Sequence, residues 1–534
     1  MWAQNYIPIG NSLALSSVVA ALPLAVILFM LGVLRKPAWI SGLCGCATAL
    51  LVALFGYGMP AGLAISATIY GAAYGLMPIG WIVFTAVLLY RLLVETGKFE
   101  VIKSSIAGLT SDRNVQALLV AFAFGAFIEG AAGFGTPVAV AAAMLTGMGF
   151  SPFYAAGICL LANTAPVAFG SIGIPVVTLQ SVTGLPMDVL SGNVGRICAP
   201  LSLFIPAYLV LVMGGLPALR SVLPAVVLCG VTFASTQFLV SNFMGPYLTD
   251  ILGALFAMLG LVLLLLVWKP KGAQTAAKHS HSTGAVISAW APYGFLVLFV
   301  VLWGTTDVKA WLDKVGTWRF GWPGLDGNVA RVPPVVTKEG SYAAVYTLNL
   351  LSASGTSCLF AAIASALFAG VAPGKFMGWV GQTFKQLALP LVTIASVLGL
   401  AYLMNYSGAT ATLGLAAAGT GVLFPFFGSL LGWLGVFLTG SDTSANALFG
   451  NLQVLTAQRL GLNPGLMAAA NSAAGVMGKM ISLQSLAVAA AATGMPPSDE
   501  AKLFRFTLGH SVALSMVLAL IVCFYAYVMP GWVR

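Results

Sequence analysis

The stretch Phe122-Ala-Phe-Gly-Ala-Phe-Ile-Glu-Gly-Ala-Ala-Gly-Phe-Gly-Thr-Pro137 places one carboxylate, Glu129, in an apolar helix that glycines interrupt. The second half of the chain repeats this pattern around Asp442, in Gly435-Val-Phe-Leu-Thr-Gly-Ser-Asp-Thr-Ser-Ala-Asn446. An ionisable side chain inside a membrane is costly, so it marks a functional site. Paired broken helices in two halves of a chain are typical of a transporter's binding site.

Composition identifies the class of protein. Of the 534 residues, 60% are hydrophobic and only 7% are charged, which predicts a polytopic membrane protein. The first apolar run, residues 12–34, is longer than the core of a signal peptide, so we expect a retained span. The net charge of +10 comes from basic residues in short loops, which favours membrane orientation over nucleic-acid binding.

The chain contains an internal repeat, which indicates a duplication. The matched pairs are Pro60 with Pro373, Pro78 with Pro390, Gly97 with Gly408, Gly125 with Gly435, Pro152 with Pro464, Asn163 with Asn471, Gly170 with Gly478, Asp188 with Asp499, and Arg196 with Arg505. Residues 98–113 contain Lys98, Lys103 and Arg113, whereas residues 408–421 carry no charge. Because Lys and Arg mark the cytoplasmic side, the two copies are predicted to be inverted.

We therefore predict an all-α polytopic membrane protein with about twelve transmembrane crossings in two inverted-topology repeats. Broken helices are expected at 115–148 and 424–457, and re-entrant hairpins at 152–185 and 464–495, with pairs of thin spans as the alternative. The predicted plain spans are 12–34, 38–58, 78–96, 197–214, 219–240, 249–268, 290–306, 346–371, 387–405 and 510–528. Interfacial helices are expected at 61–76, 98–112 and 374–386.

Three regions follow from this topology. Residues 1–268 form the first repeat with extra spans, 269–289 a cytoplasmic linker, and 290–534 the second repeat. The linker contains Lys271, Lys278 and His279 and is interpreted as a solvated loop. An extracytoplasmic loop is expected at 307–341, and both termini are predicted to be extracytoplasmic.

Candidate binding residues lie at the two breaks and the two hairpin tips. A helix that breaks inside the membrane exposes N–H groups at one new end and carbonyls at the other, and these ends bind ions. The first break offers Gly133, Gly135 and Thr136, and the second Ser441, Thr443 and Ser444. The hairpin tips offer Asn163 and Thr164 in one half and Asn471 and Ser472 in the other.

Three basic residues are candidates for binding a carboxylate. Lys479 lies in apolar sequence and requires an anionic neighbour, either a buried acid or a substrate; snorkelling to the interface is its alternative. Arg196 and Arg505 follow the two predicted hairpins, and a guanidinium fork suits a carboxylate. Anchoring at the membrane edge explains the two arginines equally well.

Uphill import of a small monocarboxylate requires a coupled cation. Glu129 and Asp442 are the candidate proton-coupling residues, because a buried acid can bind a proton at one face and release it at the other. Sodium coupling stays open, with the hydroxyls of Thr439, Ser441 and Thr443 around Asp442 as oxygen ligands. We expect no cofactor, no metal site and no catalytic residue.

Four stretches of this chain resemble the bacterial L-lactate permease family. They are Gly125-Ala-Phe-Ile-Glu-Gly-Ala-Ala-Gly-Phe-Gly-Thr-Pro137, Asn163-Thr-Ala-Pro-Val-Ala-Phe-Gly170, Phe437-Leu-Thr-Gly-Ser-Asp-Thr-Ser444 and Lys479-Met-Ile-Ser482. The similarity runs from Trp2 to Thr507 and so covers nearly the whole chain.

The resemblance implies a secondary active transporter that imports L-lactate and related 2-hydroxy monocarboxylates, such as D-lactate and glycolate, by proton symport. It further implies a multi-pass protein of the bacterial inner membrane, kinship with elevator-like carriers, and a homodimer. The expected partners are the substrate and the lipid bilayer, with no nucleic acid.

Two other classes of protein stay open. An intramembrane aspartyl protease also places two acids in the membrane, and Gly440-Ser-Asp442 superficially resembles such a site. A channel is the other alternative, because nothing in the sequence measures coupling.

Overall fold

A computed structural model describes residues 1–133, 135–270 and 281–534, apart from the side chains of residues 497 and 498. Residues 271–280 of the predicted linker, including Lys271, Lys278 and His279, lie outside the described residues. The helices of the first half are α1 Leu13–Gly32, α2 Ala38–Leu51, α3 Ala61–Tyr74, α4 Trp81–Glu95, α5 Lys98–Ala107, α6 Arg113–Gln116, α7 Gly125–Ala131, α8 Thr136–Gly147, α9 Pro152–Ala162, α10 Gly170–Thr183, α11 Met187–Ser221, α12 Leu223–Phe243 and α13 Thr249–Val267.

The second half is built in the same way. Its helices are α14 Thr283–Gly304, α15 Thr306–Gly316, α16 Ser354–Phe368, α17 Pro373–Ser407, α18 Ala409–Ala417, α19 Phe424–Thr439, α20 Asp442–Leu460, α21 Pro464–Lys479, α22 Leu483–Thr493 and α23 Pro497–Tyr527. Short π-helical turns occur at Val52–Gly56, Gly75–Gly80 and Ala117–Phe124, and 3-10 turns at Val167–Phe169, Ala418–Leu423 and Pro530–Trp532. The strands are β1 Trp2–Ala3, β2 Thr317–Gly321, β3 Val329–Arg331, β4 Gly340–Ser341 and β5 Val345–Asn349.

Residues 305–353 form a small folded cap, which includes the loop predicted at 307–341. β2 and β5 pair antiparallel, while β3 pairs with β4 and with β1 at the N-terminus. The predicted span 346–371 is therefore shorter than expected, since Val345–Asn349 is a strand and α16 begins only at Ser354. The all-α prediction holds for the membrane part, and the strands are confined to the cap and the N-terminus.

Residues 113–147 form a helical hairpin, named hairpin 1, and not the broken span predicted at 115–148. The Arg113 Nη2 atom donates to the Gly149 carbonyl at 3.3 Å, and the guanidinium lies 5.4 Å from the ring centre of Phe150. The two ends of the segment therefore meet, and α8 packs back against the helical arm that precedes it.

Residues 424–460 form hairpin 2, which corrects the broken span predicted at 424–457. The Gln453 Nε2 atom donates to the Gly428 carbonyl at 2.7 Å. A Cβ added at Gly435 would lie 3.0 Å from the Cβ of Ala445. α19 and α20 are therefore antiparallel, and the turn between them needs the left-handed φ of +72° that Gly440 adopts without steric cost.

The two segments predicted to be re-entrant hairpins are instead interrupted spans. α9 and α10 are joined through the turn at 163–169 with a bend of 62°. α21 and α22 continue through a break at 480–482 within one apolar stretch, Pro464–Thr493. Hairpins and interrupted spans share the same glycine-rich apolar sequence. Only the packing of each arm shows whether the chain turns back.

Both termini lie on the cap side of the molecule. β1 pairs with β3 of the cap. The C-terminal Arg534 donates through Nη1 to the Asn242 carbonyl at 3.0 Å, and Asn242 lines a cavity of about 790 Å³ together with Lys309 and Arg319 of the cap. The membrane face to which this side belongs stays a prediction.

The two hairpins open toward opposite ends of the molecule. The Lys98 Nζ atom, close before hairpin 1, donates to Ser288 Oγ at 2.7 Å, near the end of α14 that is remote from the cap. Directly after the open end of hairpin 2, Asn463 Nδ2 donates to the carbonyl of Arg534 at 3.1 Å, on the cap side. An inverted repeat requires this arrangement, and the division of the chain at 268 and 290 stays a prediction.

Twelve helical stretches among the described residues are long and apolar enough to cross a membrane, in agreement with the predicted number. Two of these stretches are hairpin arms, Arg113–Ala131 and Ala409–Thr439. If these two arms are not counted as crossings, and the bent pair α9–α10 and the shorter helix α16 are counted instead, the number of crossings is still twelve. An even number of crossings agrees with termini on one side.

Several predicted boundaries shift because helices continue beyond their most apolar part. α17 is a single helix, Pro373–Ser407, where an interfacial helix and a separate span were expected. α11 extends over Met187–Ser221 and is interrupted at Gly214 and Gly215. α23 begins at Pro497, more than three turns before the predicted start at 510.

The helices pack in two groups. In the first, named the frame group, α17 packs against α2, α3 and α4, α14 against α5 and α16, and α1 against α2 and α18. In the second, named the site group, the hairpins and interrupted spans pack with α11, α12, α13 and α23. The groups touch where α18 and α17 meet α20 and where α4 meets α10.

Candidate functional site

The hairpins and the interrupted spans meet at a small polar cavity of about 60 Å³. Its lining comes from hairpin 1, hairpin 2 and both interruptions. The lining residues are Glu129, Val167, Gly170, Ser171, Ile174, Pro175, Gly440, Ser441, Asp442, Thr443, Lys479 and Gln484. This convergence brings together residues that are far apart in the sequence.

Glu129 lies near the end of α7, just before the tip of hairpin 1, and is only 4% exposed. Its Oε2 atom accepts a hydrogen bond from Asn163 Nδ2 at 2.9 Å. Gly170 leaves room for the other oxygen, because a Cβ at that position would lie 2.5 Å from Oε1. A single amide donor does not replace the hydration of a carboxylate, so this site favours a bound proton or a cation.

The first interrupted span is strained next to this carboxylate. Ser171 and Ile172 have φ values of +48° and +58°, which non-glycine residues rarely adopt. The strained turn directs the Ser171 hydroxyl toward the tip of hairpin 1, where it donates to the Ala132 carbonyl at 3.0 Å. Backbone strain of this kind persists at ligand sites, where the surrounding structure holds it in place.

Asp442 is the first residue of α20 and is 3% exposed. Its Oδ2 atom accepts from Ser472 Oγ at 2.6 Å and from Asn446 Nδ2 at 3.4 Å. Its Oδ1 atom has no hydrogen-bond partner in the described part of the chain. The carboxylate is therefore only partly satisfied and is free to bind a proton on Oδ1.

A network of amides anchors hairpin 2 to the interrupted spans. Asn446 Nδ2 donates to Ser472 Oγ at 3.0 Å and to the Pro175 carbonyl at 3.1 Å. Asn471 Nδ2 donates to Asn446 Oδ1 at 2.9 Å, and Gln453 Nε2 donates to Asn471 Oδ1 at 3.3 Å. These bonds fix the position of Asp442 relative to the first interruption.

Lys479 ends α21 and is 8% exposed. Its Nζ atom donates to the carbonyl of Gly440, at the tip of hairpin 2, at 2.8 Å. The ammonium interacts electrostatically with Glu129 and with Asp442, although neither acid is within ion-pair distance among the residues described. Lys479 thus lines the cavity and is buried rather than directed toward the interface, and its role as a ligand for a substrate carboxylate stays a prediction.

Eight predicted site residues shape the site without lining the cavity, and three of them, Asn163, Asn471 and Ser472, form the hydrogen bonds described above. Gly133 and Gly135 form the tip of hairpin 1 with φ values of +61° and +82°. Thr136 begins α8, and the Thr164 hydroxyl donates to the Leu161 carbonyl. The Ser444 amide donates to the Ser441 side chain and caps α20.

The two predicted arginine ligands lie away from the cavity. Arg196 Nη1 donates to the Trp532 carbonyl at 2.6 Å, and its guanidinium lies 5.6 Å from that indole ring. Arg505 is on the exposed side of α23. Both arginines are on long helices that begin well before the predicted spans, and neither lines the cavity. Their role as substrate ligands stays a prediction.

The sequence reading overlooked Gly170, Ser171 and Gln484. Gly170 and Gly475 have matching roles, because a Cβ at Gly475 would lie 2.5 Å from Asp442 Oδ1. No residue pattern in the sequence predicts that a glycine leaves space for a particular carboxylate. A glycine-rich interruption that follows a buried acid nevertheless indicates where such a glycine is to be sought. The two acids are not equivalent by position, since Glu129 precedes the tip of its hairpin and Asp442 follows the tip of its own.

Two hairpin tips and two interrupted spans that meet at a buried polar cavity define a membrane carrier by architecture. The family model for L-lactate permease matches residues 16–529. The chain is 44% identical to the L-lactate permease of Bacillus subtilis (strain 168), with 99% of each chain covered. It is 43% identical to the glycolate permease GlcA of Escherichia coli (strain K12), again over 99% of each.

The chain therefore belongs to the L-lactate permease family. Among solved structures, the YdaH transporter of Alcanivorax borkumensis is similar over 87% of this chain and 88% of its own, with a TM-score of 0.48 and 14% identity.

Proposed function

We propose that the protein imports L-lactate and related 2-hydroxy monocarboxylates, including D-lactate and glycolate, by proton symport without a cofactor. The observation that carries this proposal is the charge of the cavity, where two acids, Glu129 and Asp442, accompany one cation, Lys479. With both acids ionised, a monocarboxylate would enter a site that already has surplus negative charge. Binding of a proton by either acid removes this repulsion, which links substrate binding to proton binding.

Lys479 is proposed to bind the substrate carboxylate. Its Nζ atom has three hydrogens, and the Gly440 carbonyl accepts one of them. The helix start at Ser441 to Thr443 adds the positive end of a helix dipole to the same side of the cavity. An anion bound at this position would contact both the Lys479 ammonium and the start of α20.

The 2-hydroxyl is proposed to be bound by the side chains of Ser441, Thr443 and Gln484, which line the cavity. The named substrates of the two relatives, lactate and glycolate, both carry a hydroxyl next to the carboxylate. A site that hydrogen-bonds a hydroxyl discriminates strongly against an analogue without it. Propionate is therefore expected to compete poorly with labelled lactate.

Uptake of labelled L-lactate into proteoliposomes under an imposed pH gradient, without Na+, tests the coupling. We expect the native chain to accumulate lactate, and we expect Glu129→Gln or Asp442→Asn to abolish accumulation. Glu100→Gln is the matched control, because Glu100 is an exposed acid paired with Lys103. Peptide cleavage, or passage of lactate without accumulation, would contradict a carrier.

Sodium coupling is the second candidate. It is favoured by the unpartnered Oδ1 of Asp442 within the described structure, beside the cavity-lining hydroxyls of Ser441 and Thr443. The Thr439 hydroxyl is less suited, because its oxygen already accepts from the Ser441 amide at 3.2 Å and does not line the cavity. Uptake that requires added Na+ would establish this alternative and exclude proton symport.

The transport movement is proposed to be elevator-like, with the site group moving past the frame group. The supporting observation is that the cavity is lined by residues of the site group. The proposal includes a homodimer in the bacterial inner membrane with extracytoplasmic termini. The mass of the purified protein in detergent tests the dimer, and labelling of a cysteine added after Arg534 by an impermeant reagent in intact cells tests the orientation.

A further inference from the structure

Asp250 is a third buried acid, outside the cavity described above. It is the second residue of α13 and is only 1% exposed. Neither of its carboxylate oxygens has a hydrogen-bond partner in the described ranges. An ionised carboxylate without donors is very costly at such a position, so the structure favours the protonated acid and suggests a functional role.

Asp250 packs directly against hairpin 1 beside Glu129. A Cβ added at Gly130 would lie 2.8 Å from the Cβ of Asp250, so the glycine allows the close approach. Asp250 and Glu129 interact electrostatically across this contact. Two neighbouring carboxylates in a dry environment do not both ionise, and their protons bind as a coupled pair.

The other titratable groups near Asp250 are Tyr247, two residues before α13, and two cysteines. Among the elements packed against α13, α12 contains Cys229, while α10 and Ala117–Phe124 contain no titratable residue. Cys198 of α11 interacts electrostatically with Asp250 and with Asp442. No described cation competes for the Asp250 carboxylate, because neither ion pair in the described chain includes it.

Asp250 also lies next to the larger cavity on the cap side. Residues 245–248, directly before α13, line that cavity of about 790 Å³, as does the exposed side chain of Asp188. Gly173 of the first interrupted span contacts Pro246, with 2.8 Å between an added Cβ and the proline Cβ. Asp250 is thus placed between the cap-side cavity and Glu129, which lines the small polar cavity.

We propose that Asp250 is a proton-carrying residue that exchanges its proton with Glu129 during transport. The protonated Asp250 gives its proton to the ionised Glu129, and Asp250 then takes up a new proton from water in the cap-side cavity. No hydrogen bond joins the two carboxyls in this conformation, so the transfer requires a bridging water or a change of rotamer. This inference rests on the proposed proton symport.

The test compares two assays of Asp250→Asn in proteoliposomes without Na+. One assay is accumulation of labelled L-lactate under an imposed pH gradient, and the other is exchange of external labelled for internal unlabelled lactate at equal pH. Exchange does not require net proton movement. We expect accumulation to fall at least tenfold while exchange stays within about threefold of native, since a lost proton carrier affects only the coupled step.

Two further variants make the result specific. Asp250→Glu restores a carboxyl and is expected to recover accumulation with a shifted pH profile. Asp307→Asn is the matched control, because Asp307 is an exposed acid in the first turn of α15 and is not among the residues that line the cap-side cavity. This variant is expected to accumulate lactate as the native chain does.

Two results would overturn the inference. Native accumulation by Asp250→Asn would do so, as would equal loss of exchange and accumulation in both the Asn and the Glu variants. A native chain that fails to accumulate lactate without Na+ would instead contradict the proton symport on which the inference rests. A failure of this inference can therefore be distinguished from a failure of the proposed proton symport.

Discussion

At the scale of single residues, the site depends on glycines, which have no side chain, as much as on acids. Gly170 and Gly475 each leave space for one oxygen of a buried carboxylate, Glu129 in the first half and Asp442 in the second. Each carboxylate also has a short-range donor, Asn163 or Ser472. Within the described residues, each acid is thus held in place by one oxygen while its other oxygen has no hydrogen-bond donor, an arrangement that suits the proposed proton binding.

Gly170→Ala is expected to impair transport without unfolding the protein. The added Cβ would lie 2.5 Å from Glu129 Oε1, so the carboxyl must move away from the cavity. We expect at least a tenfold loss of pH-driven lactate uptake at equal reconstitution. Gly509→Ala in α23 is the matched control, because a Cβ there meets nothing within 4 Å. Equal uptake by the two variants would show that transport does not need the space that Gly170 leaves for the Glu129 carboxylate.

Lys479→Met is expected to weaken lactate binding. A hydrogen bond to a charged group contributes about 1.5–3 kcal/mol, which corresponds to roughly a tenfold to 150-fold loss of affinity. Thermal stabilisation of the detergent-purified protein by lactate measures this loss directly. A purely structural lysine would lower the melting temperature without lactate and leave the stabilisation by lactate unchanged. Lys479→Arg keeps the charge and is expected to retain part of the affinity.

At the scale of elements, each interrupted span closes the tip of a hairpin. Ser171 donates to the Ala132 carbonyl at the tip of hairpin 1, and Lys479 donates to the Gly440 carbonyl at the tip of hairpin 2. Backbone N–H and C=O groups that a helix leaves unpaired inside a membrane need such partners, since lipid tails cannot form the hydrogen bonds that water would form. The hairpins and spans are therefore mutually dependent for stability.

Ser171→Ala is expected to destabilise the protein by about 1–3 kcal/mol, because it leaves the buried Ala132 carbonyl without its donor. A lower melting temperature in detergent, measured without substrate, is the expected result. Ser202→Ala is the matched control, since the Ser202 hydroxyl is buried and has no partner within the described chain. Equal melting temperatures of the two variants would show that the hydrogen bond from Ser171 to the Ala132 carbonyl does not stabilise the protein.

At the scale of the whole molecule, the two helix groups meet at contacts that an elevator movement must break. Gly414 of α18 faces α20 across this boundary, and a Cβ added there would lie 3.1 Å from the Cβ of Leu455. Tyr402 of α17 and Ser181 of α10 form a second contact, with 2.9 Å between their hydroxyls. Both contacts join the frame group to the site group.

A disulfide between Gly414→Cys and Leu455→Cys is expected to arrest transport, since the two Cβ atoms are close to disulfide distance. Reduction should restore uptake. The matched control is Gly42→Cys with Ser396→Cys, where the corresponding distance is 3.5 Å and both residues belong to the frame group. Continued transport by fully cross-linked Gly414→Cys and Leu455→Cys protein would exclude relative movement of the groups.

Local composition and periodicity predicted much of the fold. They located the helices, their number, the two glycine-rich interruptions of each half, and Glu129, Asp442 and Lys479. The reason is that a bilayer demands long apolar helices, so each polar or conformationally special residue within them is visible in the sequence. The four matching stretches then identified the family.

Only the tertiary structure showed which segments turn back and which cross, since arms of both kinds have the same composition. It also separated residues with similar local sequence, placing Lys479 in the cavity and Arg196 against the C-terminal tail. Asp250 is at the start of a helix, where the helix dipole favours an acid, so nothing in the sequence distinguishes it. Its burial beside Glu129 arises from the packing of α13 on hairpin 1, a contact between distant parts of the chain that no local pattern encodes.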